Sequence, residues 1–280
     1  MSNLIYYNGQ FKEKGEVYID PEDRGYLFAD GVYEVIVAEE GGLFKLEEHF
    51  ARLERSALGL DILLDDYKGL QEAAVKLLEG SGYPKAKLYI QVTRGTETRN
   101  HAYSDGLKPN VLMMVSRLAG NPAEYFQKGV KVITVPDERW SRCHIKAISL
   151  LPNVLAKTKA KREGAFEAIQ IRDGFVTDGS SSNVFLVEDE IVITPPATNY
   201  ILNGITRVVV LELAAKLGYL TREESISPDR LFAADQVFLT GTTTEVMPVC
   251  AIDGKKIGSG QPGRITMELY NAYRELLTRQ

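Results

Sequence analysis

Lys146 lies in the run Arg139-Trp-Ser-Arg-Cys-His-Ile-Lys146-Ala-Ile-Ser-Leu-Leu-Pro-Asn, and Asp178 follows 32 residues later in Val176-Thr-Asp178-Gly-Ser-Ser-Ser-Asn183-Val-Phe. A lysine amine attacks a carbonyl carbon to give a Schiff base once it has lost its proton, and apolar surroundings favour that loss. The alternation in His144-Ile-Lys-Ala-Ile-Ser-Leu-Leu predicts a strand whose partly buried neighbours would flank Lys146. Lys157, Lys159 and Lys161 are read as ordinary solvated lysines. A carboxylate such as Asp178 can hold a ring nitrogen in its charged form. Asp-Gly is also an ordinary turn signal, but Ser180-Ser181-Ser182-Asn183 adds a cluster of hydroxyl and amide donors beside a strand.

Two segments have the composition of anion-binding loops. Ile201-Leu202-Asn203-Gly204-Ile205-Thr206-Arg207 opens a helix, whose free N–H groups and positive dipole end attract a phosphate, with the Thr206 hydroxyl as a further donor. Thr240-Gly241-Thr242-Thr243-Thr244 follows a strand and offers a second cradle of backbone and hydroxyl donors. Arg52 could set a fixed positive charge opposite a phosphate, with His49 one turn away; the plain alternative is a surface salt bridge. In Arg94-Gly-Thr-Glu-Thr-Arg99-Asn-His101, extended backbone would turn Arg99 and His101 to one side. Arg99 can then grip a carboxylate through two parallel hydrogen bonds and His101 can add a third.

The elements that must position these groups follow from hydrophobic periodicity and turn residues. Asn3–Asn8 and Glu16–Ile19 read as strands around a Gly9 turn, and Gly31–Glu39 with Leu43–Leu46 as a hairpin across Glu40-Gly41-Gly42. A helix from Glu47 carries Phe50, Leu53, Ala57 and Leu60 at helical spacing; a second runs from about Tyr67 to Leu78 before Gly80-Ser-Gly82. Strands over Ala86–Arg94 and Asn110–Leu118 close this part, and the Gly- and Pro-containing stretch 119–129 reads as a linker. Beyond it come strands at Val130–Val135, Ala168–Arg172, Asn183–Val187, Ile191–Thr194, Gln236–Thr240 and Met247–Ile252. Helices are expected at Asn153–Arg162, Ile205–Leu217 and from about Pro262. The pattern is that of an α+β chain without internal repeats or low-complexity segments.

Composition removes several classes of function. The 280 residues are 44% hydrophobic and 25% charged, no apolar run approaches a membrane span, and the N-terminus carries no readable secretory signal, so a soluble protein is expected. A net charge of −5 with interspersed signs leaves no basic stripe for nucleic acid. Two cysteines suit a reducing cytoplasm and argue against a disulfide framework or a cysteine-rich metal site; no metal is expected. Partners are therefore expected to be small molecules or a second copy of the chain.

Taken in order, several segments resemble the fold-type IV pyridoxal phosphate enzymes over nearly the whole chain. They are Asp23-Arg-Gly-Tyr-Leu-Phe-Ala-Asp-Gly-Val-Tyr-Glu34, the Lys146 segment, Gly179-Ser-Ser-Ser-Asn-Val-Phe185, Leu202-Asn-Gly-Ile-Thr-Arg207 and Thr240-Gly-Thr-Thr-Thr-Glu-Val-Met-Pro-Val249. Within that superfamily Arg-Gly-Thr-x-x-Arg-x-His resembles the carboxylate trap of the D-amino acid aminotransferases. The resemblance implies a small N-terminal α/β sandwich domain over 1–119, a linker over 120–129, and a larger barrel-like domain with helices over 130–280 that binds the cofactor. It implies that Lys146 carries pyridoxal 5'-phosphate, that Arg52, Ile205, Thr206 and Thr242 hold its phosphate, and that Leu202 packs on its ring. Asp178 would face the ring nitrogen, while Tyr33, Arg99 and His101 would hold the substrate carboxylate. The implied reaction moves the amino group of a D-amino acid to a 2-oxo acid, 2-oxoglutarate or pyruvate, by a ping-pong cycle in a cytoplasmic homodimer. Alternatives are branched-chain L-amino acid or (R)-amine transamination on the same fold, or a non-catalytic ligand-binding homologue. Two positions depart from the family pattern: Asp178 stands where glutamate is usual, its arm one methylene shorter, and Gly241 where serine is frequent.

Overall fold

Asn8 and Gly9 both take positive φ, 45° and 86°, the backbone of a two-residue turn whose twist matches the strands it joins. That turn sets Gln10 directly opposite Tyr7. The partner of β1 (Leu4–Tyr7) is therefore β2 (Gln10–Glu13), and the expected strand at Glu16–Ile19 does not form. The computed structural model describes residues 4–40 and 42–279; Asn3, expected in the first strand, and Gly41, expected in the second turn, lie outside the described residues. By internal contacts the chain divides into two units. One runs to Ala119 and includes Ile145–Ser149; the other comprises Gly120–His144 and Leu150–Arg279.

The first unit is an antiparallel sheet covered by helices. Its strands are β1, β2, β3 (Gly31–Glu39), β4 (Gly42–Leu43), β5 (Lys85–Thr93) and β6 (Asn110–Arg117), in the order β2-β1-β6-β5-β3-β4. A short helix, α1 (Arg24–Phe28), precedes β3, capped by Asp23, whose Oδ1 accepts from the Gly25 N–H at 2.7 Å. On β5 the buried Ala86, Leu88, Ile90 and Val92 alternate with exposed or half-buried residues, as one covered face requires. Phe50, Leu53 and Ala57 of α2 (Leu46–Leu58) and Leu70, Ala74 and Leu77 of α3 (Tyr67–Ser81) join that core. Each fully buried large side chain contributes roughly 1.5–3 kcal/mol. Helix α3 outruns its expected end at Leu78 because Gly80 stays helical and the left-handed residue is Gly82, at φ 66°.

Ile145–Ser149 belongs to this unit through long-range backbone pairing. The Tyr33 N–H donates to the Lys146 carbonyl at 3.0 Å, the Ile148 N–H to Gly31 at 3.0 Å, and Ser56 Oγ accepts the Lys146 N–H at 3.2 Å. Instead of the expected strand there is one isolated bridge, Val32 to Ala147. The burial alternation survives, with Ile145 and Ala147 in the core. The approach needs a glycine at 31: a Cβ there would lie 2.4 Å from the Val92 carbonyl oxygen and 3.1 Å from Ile148 Cδ1.

The second unit is built on a mixed nine-stranded sheet. Its strands are β7 (Val130–Pro136), β8 (Glu167–Arg172), β9 (Phe175–Gly179), β10 (Asn183–Glu188), β11 (Ile191–Thr194), β12 (Thr221–Glu223), β13 (Gln236–Gly241), β14 (Glu245–Ile252) and β15 (Lys255–Lys256). The order is β12-β11-β10-β13-β14-β7-β8-β9, with β15 on β14; β11–β12, β14–β7 and β7–β8 are parallel. Strand β10 is buried along nearly its whole length, and Phe185 stacks on Phe238 of β13 with ring centroids 4.9 Å apart. The helices are α4 (Ala123–Lys128), α5 (Leu151–Arg162), α6 (Ile205–Lys216), α7 (Pro228–Ala233) and α8 (Arg264–Thr278). Helix α4 occupies the stretch expected as a linker, and its Phe126 stacks on Tyr270 at 4.3 Å inside the core of this unit. No helix among the described residues is long and apolar enough to cross a membrane.

Candidate active site

In the first unit the Lys146 amine sits 4.3 Å from the centroid of the Tyr33 ring, a cation–π contact. The residue is half-buried, and its amine has no hydrogen-bond or ion-pair partner among the described residues. Tyr33 comes from β3, one residue before Glu34, and period-2 alternation sends the two side chains to opposite faces. Glu34 is fully buried and gathers both candidates from α2. Arg52 donates through Nε to Oε1 at 2.7 Å and through Nη2 to Oε2 at 2.9 Å, while His49 Nδ1 lies 2.7 Å from Oε2. Arg52 is thus locked in the interior and does not form a surface salt bridge. Burial pushes the Glu34 carboxyl up, but the Arg52 charge and the hydrogen bonds of Arg52 and His49 outweigh it and hold the group at about 2. For His49, burial lowers the pKa and the Glu34 bond only partly offsets it, so the ring is neutral near pH 7.

Arg99 and His101 stand on a bent loop after β5, not on extended backbone, and both are exposed. They come together on one aromatic ring: the Arg99 guanidinium lies 5.1 Å from the Phe28 centroid, and the His101 ring 5.5 Å from it. The bend therefore brings them to one place, where alternation along a strand had been expected to do so.

In the second unit Asp178 ends up on β9, 3% exposed. Its Oδ1 accepts from Asn183 Nδ2 at 2.8 Å, and its Oδ2 from Arg139 Nη1 at 3.0 Å and the Leu202 N–H at 3.2 Å. Burial raises the pKa of this carboxyl, against the lowering by Arg139 and the other donors, and the net direction is upward. Arg139 is itself fixed by Asp137, with Nε to Oδ1 and Nη2 to Oδ2 each at 2.9 Å. Asn183 is the amide donor of the cluster that the sequence places after Asp178, whereas Arg139 was passed over: a buried carboxylate implies a cation, but the loop position of Arg139 gives no periodic signal.

The two segments read as anion-binding loops are a helix start and a turn between strands. Helix α6 starts at Ile205 behind Gly204, with no side-chain cap on its first N–H groups, and Thr206 is buried beside them. A Cβ at Gly204 would lie 2.1 Å from Asn183 Oδ1. Asn183 Nδ2 also donates to the Leu202 carbonyl at 2.8 Å, so one side chain joins the Asp178 strand to the helix start. Leu202 is half-buried, and its backbone supports the carboxylate. Thr242, half-buried, lies in the tight turn between β13 and β14. A Cβ at Gly241 would meet Thr244 Cβ and Oγ1 at 3.3 Å and the Ser181 carbonyl oxygen at 3.4 Å, so glycine suits a narrow place.

The serine run does not offer free donors. Ser180, Ser181 and Ser182 all donate to the fully buried Glu167, the latter two at 2.9 and 3.3 Å. Lys157, expected to be solvated, pairs with Glu167 at 3.3 Å and donates to the Phe166 carbonyl at 2.6 Å. Glu167 escaped sequence reasoning because a lone glutamate opening a strand gives no sign of its burial.

The first unit thus carries a half-buried lysine over a tyrosine ring, and the second a buried carboxylate next to the uncapped start of α6. The chain matches the model of the amino-transferase class IV family over residues 31–252 and belongs to that family. The expected fold class, fold-type IV, is met. The D-alanine aminotransferase of Bacillus licheniformis is 45% identical over 270 residues, covering 96% of this chain and 95% of that one. Its counterpart in Staphylococcus epidermidis is 40% identical, covering 98% and 97%. Among solved structures, the Escherichia coli branched-chain amino acid aminotransferase gives a TM-score of 0.93 at 25% identity, covering 99% of this chain and 95% of that one. The branched-chain aminotransferase of the thermophilic archaeon Thermoproteus uzoniensis, solved with norvaline, gives 0.89 at 27% identity, covering 99% and 96%.

Proposed function

We propose that the chain is a D-amino acid aminotransferase that uses pyridoxal 5'-phosphate and passes the amino group of a D-amino acid to a 2-oxo acid. The observation that carries the chemistry is the Lys146 amine, half-buried and without a polar partner among the described residues. The donor set fits the coenzyme. A carboxylate supported by Arg139 suits a ring nitrogen, and the uncapped start of α6 with the buried Thr206 suits a phosphate. In this reading Ile205, Thr206, Thr242 and Arg52 hold the phosphate, Leu202 meets the ring, and Asp178 keeps the ring nitrogen charged. On the same reading the second unit, Gly120–His144 with Leu150–Arg279, binds most of the coenzyme.

Bound pyridoxal phosphate supplies an electron sink that acidifies the α-C–H of an attached amino acid. The protein's own contribution is to bind, orient and move protons. Lys146 Nζ takes the α-proton and later returns it, acting as base and then acid. Tyr33, Arg99 and His101 fix the α-carboxylate, which decides which hydrogen faces the amine and so sets D-selectivity. The solved branched-chain enzymes favour a second reading, L-leucine-type substrates on the same fold. Against it stand the Arg94-Gly-Thr-x-x-Arg99-x-His101 loop and the identity to D-alanine aminotransferases over nearly the full chain. Two cysteines, both free thiols, accord with a cytoplasmic enzyme, which we take to be a homodimer.

Borohydride reduction followed by peptide mapping is expected to place the coenzyme label on Lys146, and Lys146→Ala to lose both label and turnover. Half-reactions followed by coenzyme colour are expected to proceed with D-alanine. Conversion by L-leucine and (R)-1-phenylethylamine but not D-alanine would overturn the substrate assignment, and a label on another side chain would overturn the chemistry.

A further inference from the structure

The loop that bears Arg99 and His101 is held from beneath by a buried cation. Arg24, 3% exposed, uses four N–H donors around its guanidinium. Nε donates to Asp30 Oδ2 at 3.0 Å and Nη1 to Glu97 Oε1 at 3.0 Å. Nη1 also donates to the Asn100 carbonyl at 2.7 Å, and Nη2 to the His101 carbonyl at 3.0 Å. Two of these acceptors are the backbone carbonyls of Asn100 and His101, the two residues that follow Arg99. The same guanidinium lies 4.8 Å from the Phe28 centroid, the ring that Arg99 and His101 also approach. The main chain reinforces the contact, since the Arg24 N–H donates to the Gly95 carbonyl at 2.9 Å.

A planar fork with five donors can fix several acceptors in one plane, and an ammonium cannot. Binding a carboxylate through two parallel hydrogen bonds demands that its partner be held to fractions of an ångström, and a misplacement of about 1 Å can cost on the order of 10²-fold. Exposed side chains gain that precision only from a fixed backbone. We infer that Arg24 is a positioning residue for substrate carboxylate recognition, pre-organising the 97–101 loop so that Arg99 and His101 are presented together. The inference rests on the reading that Arg99 and His101 bind the substrate carboxylate.

Replacing Arg24 does not orphan its most buried partner, because Asp30 keeps two hydrogen bonds from Arg94, at 2.7 and 2.9 Å. The test compares Arg24→Gln, Arg24→Lys and Arg99→Ala in the coenzyme-loaded enzyme, with KM and kcat for D-alanine and amide hydrogen exchange across 97–103. Arg24→Gln is expected to raise KM about tenfold to a hundredfold while kcat holds within about threefold, a loss of binding and not of chemistry. Exchange in the loop should speed up. Arg24→Lys keeps the charge but not the fork and should behave like Arg24→Gln. Full restoration of KM by lysine would show that charge alone acts and would overturn the inference, as would unchanged loop exchange in Arg24→Gln. An unchanged KM in Arg99→Ala would instead sink the carboxylate-trap reading, and the role given to Arg24 with it. A raised KM in Arg99→Ala beside a normal Arg24→Gln would sink the Arg24 inference alone.

Discussion

Glu34 and Asp178 are both buried carboxylates whose partners favour the charged form, yet the net shifts run in opposite directions. Glu34 falls from the ordinary 4.5 to about 2 because Arg52 and His49 enclose it, whereas burial wins at Asp178 and raises it above the ordinary 3.8. A carboxyl depressed in the folded state adds stability that is complete above its unfolded value and is lost as pH falls through the folded one. For Glu34 that window runs from 4.5 down to about 2, and the shift corresponds to about 3 kcal/mol. Asp178 works in the other sense, favouring the fold at low pH and costing stability as pH rises through its raised value. Denaturant unfolding of the coenzyme-free protein across this range is expected to show the Glu34 loss in the wild type and not in Glu34→Gln. Equal slopes in the two proteins would refute the assignment. Part of this arrangement was legible in the sequence. On β3, Glu34 shares a face with Val32 and Ile36, so alternation alone puts a carboxylate in the core, where a cation must meet it. The identity of that cation was half visible, with Arg52 and His49 one turn apart on an amphipathic helix. Arg139 and Glu167 were not visible, because their burial depends on strands distant in the chain.

At the scale of elements, the start of α6 is coupled to β9 and β10 by Asn183, which donates to both Asp178 and the Leu202 carbonyl. Gly204 makes that coupling possible, since a Cβ there would lie 2.1 Å from Asn183 Oδ1. Gly204→Ala is therefore expected to push Asn183 aside, tilt the first N–H groups of α6, and weaken pyridoxal phosphate binding about tenfold, roughly 1.4 kcal/mol. Fluorescence titration of the coenzyme-free variant measures this, and an unchanged affinity would count against α6 as the phosphate cradle. Periodicity located α6 and its glycine start, because apolar spacing and a missing side-chain cap are local properties. It misjudged the end of α3, since which glycine takes the left-handed conformation is decided at Gly82 and not at Gly80. It missed β2, because Asn8-Gly9 forms the shortest hairpin turn and pairs Gln10 immediately, in a strand too polar to stand out by periodicity. It read 119–129 as a linker; the structure has α4 in that stretch, with Phe126 in the core of the second unit.

At the scale of the whole molecule, the hardest feature to read was the placement of Ile145–Ser149 with the first unit. Its contacts are hydrogen bonds to Gly31, Tyr33 and Ser56, about a hundred residues away, and no local propensity encodes them. The proposed homodimer can be tested at a different feature, the start of α5. Leu151, Val154 and Leu155 fall at i, i+3 and i+4, so they line one face of the helix, yet they are 69%, 54% and 57% exposed. Three large apolar side chains on one exposed face are the kind of surface that a second copy would cover in the proposed homodimer. Sedimentation of the coenzyme-loaded protein is expected to give twice the chain's 31.2 kDa. Charges placed at the centre of an apolar interface are not solvated by the partner, so Leu151→Glu with Leu155→Glu should shift the protein to monomer and reduce turnover in step with the loss of dimer. The coenzyme-free double variant should keep the wild-type far-ultraviolet circular dichroism, because both positions face solvent within the single chain. A wild type that sediments as a monomer while fully active, or a double variant that remains dimeric, would remove the homodimer from the proposal and leave the chemistry of Lys146 standing on its own.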